Sequence, residues 1–223
     1  MADTKAQKNG ARYRNSQIGL IPPRLCYITA LVNSFINRGL VVASISLVLQ
    51  ARMTDAVSLA GVTFGIATIA GVLLSSRWLS AFIISPLTGH LSDQWGRRPF
   101  LLAAFVLEIL TLLSIAVTSS ALLTAICAAI LFVAGNTVET VARAAVADKS
   151  HQGSASVRMG IHATFDDTGS AAGPLIGYLL AGIIGFPFAY TISAVIVLGL
   201  FGVHIANYLT RMLARSFPMD SIT

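Results

Sequence analysis

The chain has 223 residues, of which 55% are hydrophobic and only 11% charged, and its mean hydropathy is +0.77. Soluble domains carry about 25% charged residues, so this composition excludes a water-solvated globule, a disordered segment and a collagen-like chain. Fifteen Lys and Arg against nine Asp and Glu leave a net charge of +6, but charges this sparse do not make a nucleic-acid-binding surface.

A membrane-spanning helix needs roughly 20 mostly apolar residues to cross about 30 Å of hydrocarbon. After a basic lead over residues 1–24, six such runs follow: Leu25 to Leu49, Gly61 to Leu87, Pro99 to Thr118, Ala121 to Ala145, Val157 to Ile183 and Phe186 to Tyr208. Backbone groups in lipid must be satisfied within the segment, so each run is predicted to be a helix. The fold class is therefore an all-α polytopic membrane protein with a six-helix bundle over 25–208 and a polar tail over 209–223. A cleaved signal peptide is not expected, because the first apolar run comes late and is too long. Cys26 and Cys127 lie inside apolar runs without CxxC spacing, and read as apolar thiols rather than as disulfide or zinc ligands.

Basic residues set the orientation, since cytoplasmic segments retain positive charge during insertion. The lead holds Lys5, Lys8, Arg12, Arg14 and Arg24; the turn after span two holds Arg97 and Arg98; the stretch after span four holds Lys149 and Arg158, with Arg143 at its edge; the tail holds Arg211 and Arg215. The opposite side has Arg52 alone. Both termini are thus predicted to be cytoplasmic, in a multi-pass protein of a plasma or inner membrane. The short loops at Thr118 to Ser120 and Ile184 to Pro187 make their flanking helices antiparallel neighbours.

Between spans two and three stands Gly89-His-Leu-Ser-Asp93-Gln-Trp-Gly96-Arg97-Arg98-Pro99, read as a charged turn. Gly89 lets another helix approach closely, and Gly96 permits the left-handed backbone of a tight reversal. This resembles motif A of the major facilitator superfamily, with Gly89, Asp93, Gly96, Arg97 and Arg98 at matching positions and Gln94 where a basic residue is common. The resemblance implies a charge relay: Asp93 and Arg97 join an acid at the end of span four, here Asp148, with Arg158 as a further basic partner, and latch the outward-open state. On span five, Gly160, Gly169, Gly173-Pro174 and Gly177 resemble motif C, associated in the family with antiporters, although Tyr178 replaces its last glycine. Spacing of four puts Gly169, Gly173 and Gly177 on one helix face as a packing groove, and Pro174 loosens the backbone there.

Ionisable groups deep in a span cost a few kcal/mol each and so face a cavity or a partner. Span one carries Asn33, Ser34, Asn37 and Arg38, and span two carries Arg77, about 18 Å along the helix from Gly89 at 1.5 Å per residue. Span four carries Asn136, Glu139, Thr140 and Arg143, and span five His162, Asp166 and Asp167. Asn33, Asn37, Arg38, Arg77, Asn136, Glu139 and Arg143 are the candidates for lining a solute cavity, and Asp166, Asp167 and His162 for coupling protons. Internal ion pairing would leave the same residue pattern. Glu108 on span three reads as an interhelical partner. The resemblance implies a cavity lined by spans one, two, four and five, which is where all these groups except Glu108 lie.

In the family, two six-helix halves, each of two inverted three-helix repeats, enclose the solute. The resemblance therefore implies one amino-terminal half here, with lipid, a small solute and a second six-helix half as partners. That half is supplied by another copy, a separate chain, or a continuation of which this is a fragment. No nucleic acid, metal or cofactor is expected. No Gly-x-Ser or Gly-x-Gly-Asp motif of intramembrane proteases occurs, and the scattered His and Cys give no ligand spacing, so no enzyme activity is expected. Two functions stay open: transport by alternating access, with proton-coupled antiport or efflux as the mode, and a non-transporting scaffold or regulatory half-protein.

Overall fold

The computed structural model describes residues 21–52, 57–59, 62–64, 66–148 and 155–216. Lys5, Lys8, Arg12, Arg14, Lys149 and the tail residues 217–223 lie outside the described residues. Six long helices carry the bundle: α1 Pro23–Arg52, α2 Ile66–Trp95, α3 Arg97–Val117, α4 Ala121–Asp148, α5 Ala155–Ile184 and α6 Phe186–Ser216. Five are long and apolar enough to cross a membrane. The remaining helix, α5, matches α2 at 30 residues, about 45 Å, but the charges at Arg158, Asp166 and Asp167 and the imidazole of His162 lower its hydropathy.

The second span differs from its sequence expectation at both ends. Val62–Phe64 forms a strand, β2, antiparallel to β1 at Val57–Leu59, so α2 starts at Ile66 rather than Gly61. The β-branched and aromatic residues Val62, Thr63 and Phe64, set between glycines, suit an extended pair better than a helix. At its far end α2 continues past Leu87 to Trp95. The segment expected to be a charged turn is thus helical up to Gly96, whose φ of 96° makes the tight reversal into α3. Gly185, with φ 83°, does the same between α5 and α6. Both positions need the left-handed region that a Cβ disfavours.

Helix α1 packs against α4 and α5, α4 against α2 and α3, and α6 against α3 and α5. Exchanging α1–α3 with α4–α6 maps the α1–α5 contact onto α4–α2 and leaves α1–α4 and α3–α6 in place, as two three-helix repeats related by a two-fold require. The apolar core joins Val41, Ile45 and Leu49 of α1 to Phe105 and Ile115 of α3, Leu131 and Val138 of α4 and Tyr190 of α6. By contrast Val72, Trp78 and Phe82 on α2, with Leu175, Leu179 and Ile183 on α5, are exposed, leaving apolar faces that lipid or other helices must cover.

Within α1, Ser34–Leu40 is a π-helical stretch. It lies in the groove of α5. A Cβ on Gly169 would collide with the backbone of Leu31 and Phe35, one on Gly173 with Phe35, Gly39 and Leu40, and one on Gly177 with the Leu40 side chain. Small residues let the two backbones touch, which is how helices associate where no hydrophobic effect drives them together. Gly39 on α1 completes the contact, its own Cβ direction ending on Gly173. Gly160 does not take part, since a Cβ there would meet nothing within 4 Å.

Candidate functional site

Two arginine-centred clusters organise the polar groups. In the membrane-spanning zone, Arg38 of α1 reaches across to α5, where its Nη1 donates to the Asp166 carboxylate, and that carboxylate also accepts from the Ser34 hydroxyl. The same Nη1 lies 3.7 Å from Glu139 Oε1 on α4, and Arg143 Nη2 approaches that oxygen at 2.6 Å. Three helices thus contribute to one chain of charges. Asp166 is the buried end of the chain, whereas the Arg38 side chain keeps 27% of its surface and Arg143, at the other end, is half exposed. His162, one helical turn from Asp166, is buried and its Nε2 has no hydrogen-bond partner among the described residues. Asp167 points outward from the next position and stays within electrostatic reach of Arg38.

Arg77 of α2 stands across from this chain. It makes no ion pair among the described residues; its guanidinium lies 5.2 Å from the centre of the Trp78 ring, within electrostatic reach of Arg38, Glu139 and Asp166. Asn136 of α4 ties α2 in place, its Nδ2 donating to Ser80 Oγ at 2.7 Å and to the Arg77 carbonyl at 3.3 Å. An open groove of about 450 Å³ between α2 and α4, lined by Val72, Leu73 and Ala129 among others, is almost wholly apolar and holds none of these charges.

The polar stripe expected on α1 is really two. Asn37 bonds back to Asn33, whereas Ser34 and Arg38 both reach Asp166, so Asn33 pairs with Asn37, and Ser34 with Arg38. Only the second pair joins the charge cluster. Asn33 and Asn37 turn into the closed core: Asn33 Nδ2 donates to the Gly135 carbonyl at 3.2 Å, and Asn37 Nδ2 to Asn33 Oδ1 at 3.0 Å and to Glu108 Oε1 at 2.8 Å. Gly135 leaves the room that Asn37 fills. Their place in the core removes both asparagines from the cavity lining and makes them partners of the buried Glu108 carboxylate of α3.

The second cluster sits at the α2–α3 break. Arg97, placed at the first position of α3 by Gly96, donates through Nε to Asp148 Oδ2 at 2.5 Å and through Nη2 to Asp148 Oδ1 at 3.0 Å, and Nη2 lies 2.9 Å from Asp93 Oδ1. The ends of α2, α3 and α4 are thereby joined. Arg158 is half-buried on the first turn of α5. A Cβ on Gly89 would meet nothing within 4 Å, so the close approach expected there is not made by the described part of this chain. Arg98 does not join its neighbour: it is buried against α6, with Nη2 3.2 Å from Asn207 Oδ1 and its guanidinium 5.0 Å from the centre of the Tyr208 ring.

Several linking residues escaped the sequence reading. Arg52, expected as a lone charge in a loop, ends α1 and donates to Thr124 Oγ1 and to the Ile115 carbonyl, both at 2.6 Å. Thr29 and His204 join α1 to α6 at 3.0 Å, and Ser44 and Tyr190 do so at 2.9 Å. Tyr178, which replaces the last motif C glycine, donates from its hydroxyl to the Ala43 carbonyl at 2.5 Å. Their signal was present as single polar residues in apolar helices, but nothing in the sequence named the partner.

Residues 25–212 match the sequence profile of the Major Facilitator Superfamily, and the chain belongs to that family of membrane transporters. It is an integral, multi-pass membrane protein. One similar curated protein is the Multidrug resistance protein MdtG of Dickeya zeae, 28% identical over 141 residues, which cover 63% of this chain and 34% of that protein. The match thus spans about a third of the length of that relative.

Proposed function

We propose that these six helices act as one half of a facilitator-type secondary transporter, moving a small solute by alternating access against a second six-helix bundle. That bundle comes from further sequence of the same polypeptide, a second copy or a separate chain. Family membership supports the reading, as does the likeness to a protein named for multidrug resistance. The single observation that carries it is the chain of charges contributed by α1, α4 and α5 in the membrane-spanning zone, buried at Asp166 and open at Arg38 and Arg143. A purely structural ion pair has no need to stay open, because solvation of one end weakens it.

In this reading Arg38, Arg77, Glu139 and Arg143 face the solute, and Asn136 positions Arg77. Asp166, with His162 and Asp167, exchanges the coupling proton in antiport, since protonating Asp166 releases Arg38. Asp93, Arg97 and Asp148 latch one end of the bundle while it faces outward, with Arg158 as a further basic partner. Basic residues on the side of both termini support a cytoplasmic placement of each.

Efflux of a panel of small amphipathic solutes is the test, in cells expressing the chain and in proteoliposomes with an imposed proton gradient. Arg38→Ala and Asp93→Asn should abolish gradient-driven flux while expression stays unchanged. If the wild type, assembled with its second bundle, moves no solute, or if both variants then move it as the wild type does, the transport reading fails and the scaffold reading stands.

A further inference from the structure

Arg98 is the unexplained arginine of the motif. Its neighbour Arg97 is held by two carboxylates, but Arg98 points along the α3–α6 seam with only 7% of its surface exposed. Of its nitrogens, Nη2 reaches Asn207, while Nε and Nη1 are buried without any hydrogen-bond partner among the described residues. No carboxylate lies within ion-pair distance of it among the described residues. The charged side chain within its electrostatic reach is another cation, Arg211, and His204 lies one turn deeper on α6. A buried guanidinium with two open donors is costly unless acceptors fill them, and Nη1 with the second Nη2 proton makes a fork that fits two oxygens of one phosphate.

Three further features define the ligand. Helix α3 begins at Gly96 with no side-chain cap on its first amides, so the positive end of a 21-residue helix adds to the charge of Arg98. Helices α3 and α6 pack on each other and contribute no residue to the charge cluster of α1, α4 and α5. Trp95, exposed beside Phe100 at 6.2 Å between ring centres, and Tyr208 over the guanidinium are the amphipathic rings that settle at headgroup depth.

We propose that Arg98, with Asn207, Tyr208 and the uncapped start of α3, forms a binding site for the phosphodiester headgroup of a membrane phospholipid, seated at the end of the α3–α6 seam. Phosphate is the chemistry recognised; acyl chains beside Trp95 make a lipid, rather than a free anion, its source. The site is independent of the solute pathway.

The test is native mass spectrometry of the full chain released from micelles carrying phosphatidylglycerol, or diacylglycerol with the same acyl chains, with and without millimolar inorganic phosphate. The wild type should retain phosphatidylglycerol through mild activation and lose diacylglycerol. Arg98→Gln should retain about tenfold less phosphatidylglycerol, the equivalent of one charge-assisted bond, and Arg97→Gln should retain it as the wild type does. Equal retention of the two lipids by the wild type overturns the site even if no variant folds. Undiminished binding by folded Arg98→Gln, or displacement of the lipid by inorganic phosphate, also overturns it, the latter in favour of a free anion. Loss of flux with this lipid pattern intact would remove the transport reading alone, and loss of the pattern with flux intact would remove the lipid site alone.

Discussion

Arg97 at the end of the bundle and Arg38 within the membrane-spanning zone are built on one plan, an arginine held between two carboxylates from different stretches of chain. Arg97 has Asp93 and Asp148; Arg38 has Asp166 and Glu139. Their surroundings differ. Asp93 and Asp148 are both exposed, so water competes for both carboxylates and each pair is worth about 0–1 kcal/mol. Asp166 is buried in a helix bundle that lipid surrounds, where a charge deprived of its partner costs several kcal/mol. Equal geometry therefore serves different ends: the outer cluster can open and close cheaply, as a latch must, and the inner one yields only when a proton or a solute replaces the lost partner.

The largest expected effect comes from breaking the inner pair on one side. Asp166→Ala leaves Arg38 and the Ser34 hydroxyl without their acceptor and should destabilise the chain by about 3 kcal/mol, the lower end for buried pairs because Arg38 keeps some solvent contact. Thermal unfolding in detergent reads it. Replacing both partners, as Arg38→Met with Asp166→Leu, should restore most of the midpoint, since an apolar pair of similar volume is often neutral, while leaving flux abolished. A double variant as unstable as Asp166→Ala would show that the pair is not what holds α1 to α5.

Next in size is the platform under that pair. Gly173→Ala places a Cβ against the Phe35 carbonyl oxygen, 2.5 Å from the Gly39 Cα and 2.9 Å from the Leu40 amide nitrogen, and all three contacts are backbone, so the helices must separate at a cost of about 1–3 kcal/mol. Because Arg38 lies in the displaced stretch, the same substitution should weaken its hold on Asp166. Gly160→Ala, with open space around it, serves as the control and should leave the unfolding midpoint within about 0.5 kcal/mol of the wild type.

How far the sequence carried this comparison depends on whether a feature was periodic or pairwise. The number and order of the helices, the glycine face of α5 and the Gly96 reversal follow from spacing and backbone chemistry, and Asp93, Arg97 and Asp148 do meet in space. Partner choice was not legible. Asn33 and Asn37 looked like cavity residues because they are polar and near Arg38, but the angle between the two i,i+4 pairs sends them to Gly135 and Glu108. Arg97 and Arg98 are identical in type and adjacent, yet Arg97 meets Asp93 one turn back and Asp148 on α4, whereas Arg98 turns to α6 and finds no carboxylate among the described residues. The start of α2 was misplaced because an apolar run does not tell strand from helix when it holds Val, Thr and Phe between glycines.

The smallest effect should come from the outer cluster, and salt separates it from the inner one. Asp148→Asn removes one carboxylate from Arg97 but leaves Asp93, so its cost should be at most about 1 kcal/mol. The screening length falls from about 10 Å at 0.1 M salt to about 3 Å at 1 M, so raising salt over that range should erase most of the difference between Asp148→Asn and the wild type. The difference caused by Asp166→Ala should persist, because a buried pair is screened far less. If both differences faded together, Asp166 would be as open to solvent as Asp148, and the division between a cheap latch and a costly inner pair would be lost. If neither faded, the outer cluster would be sealed in the working protein, which a second helix bundle packed over the exposed Gly89 face would achieve.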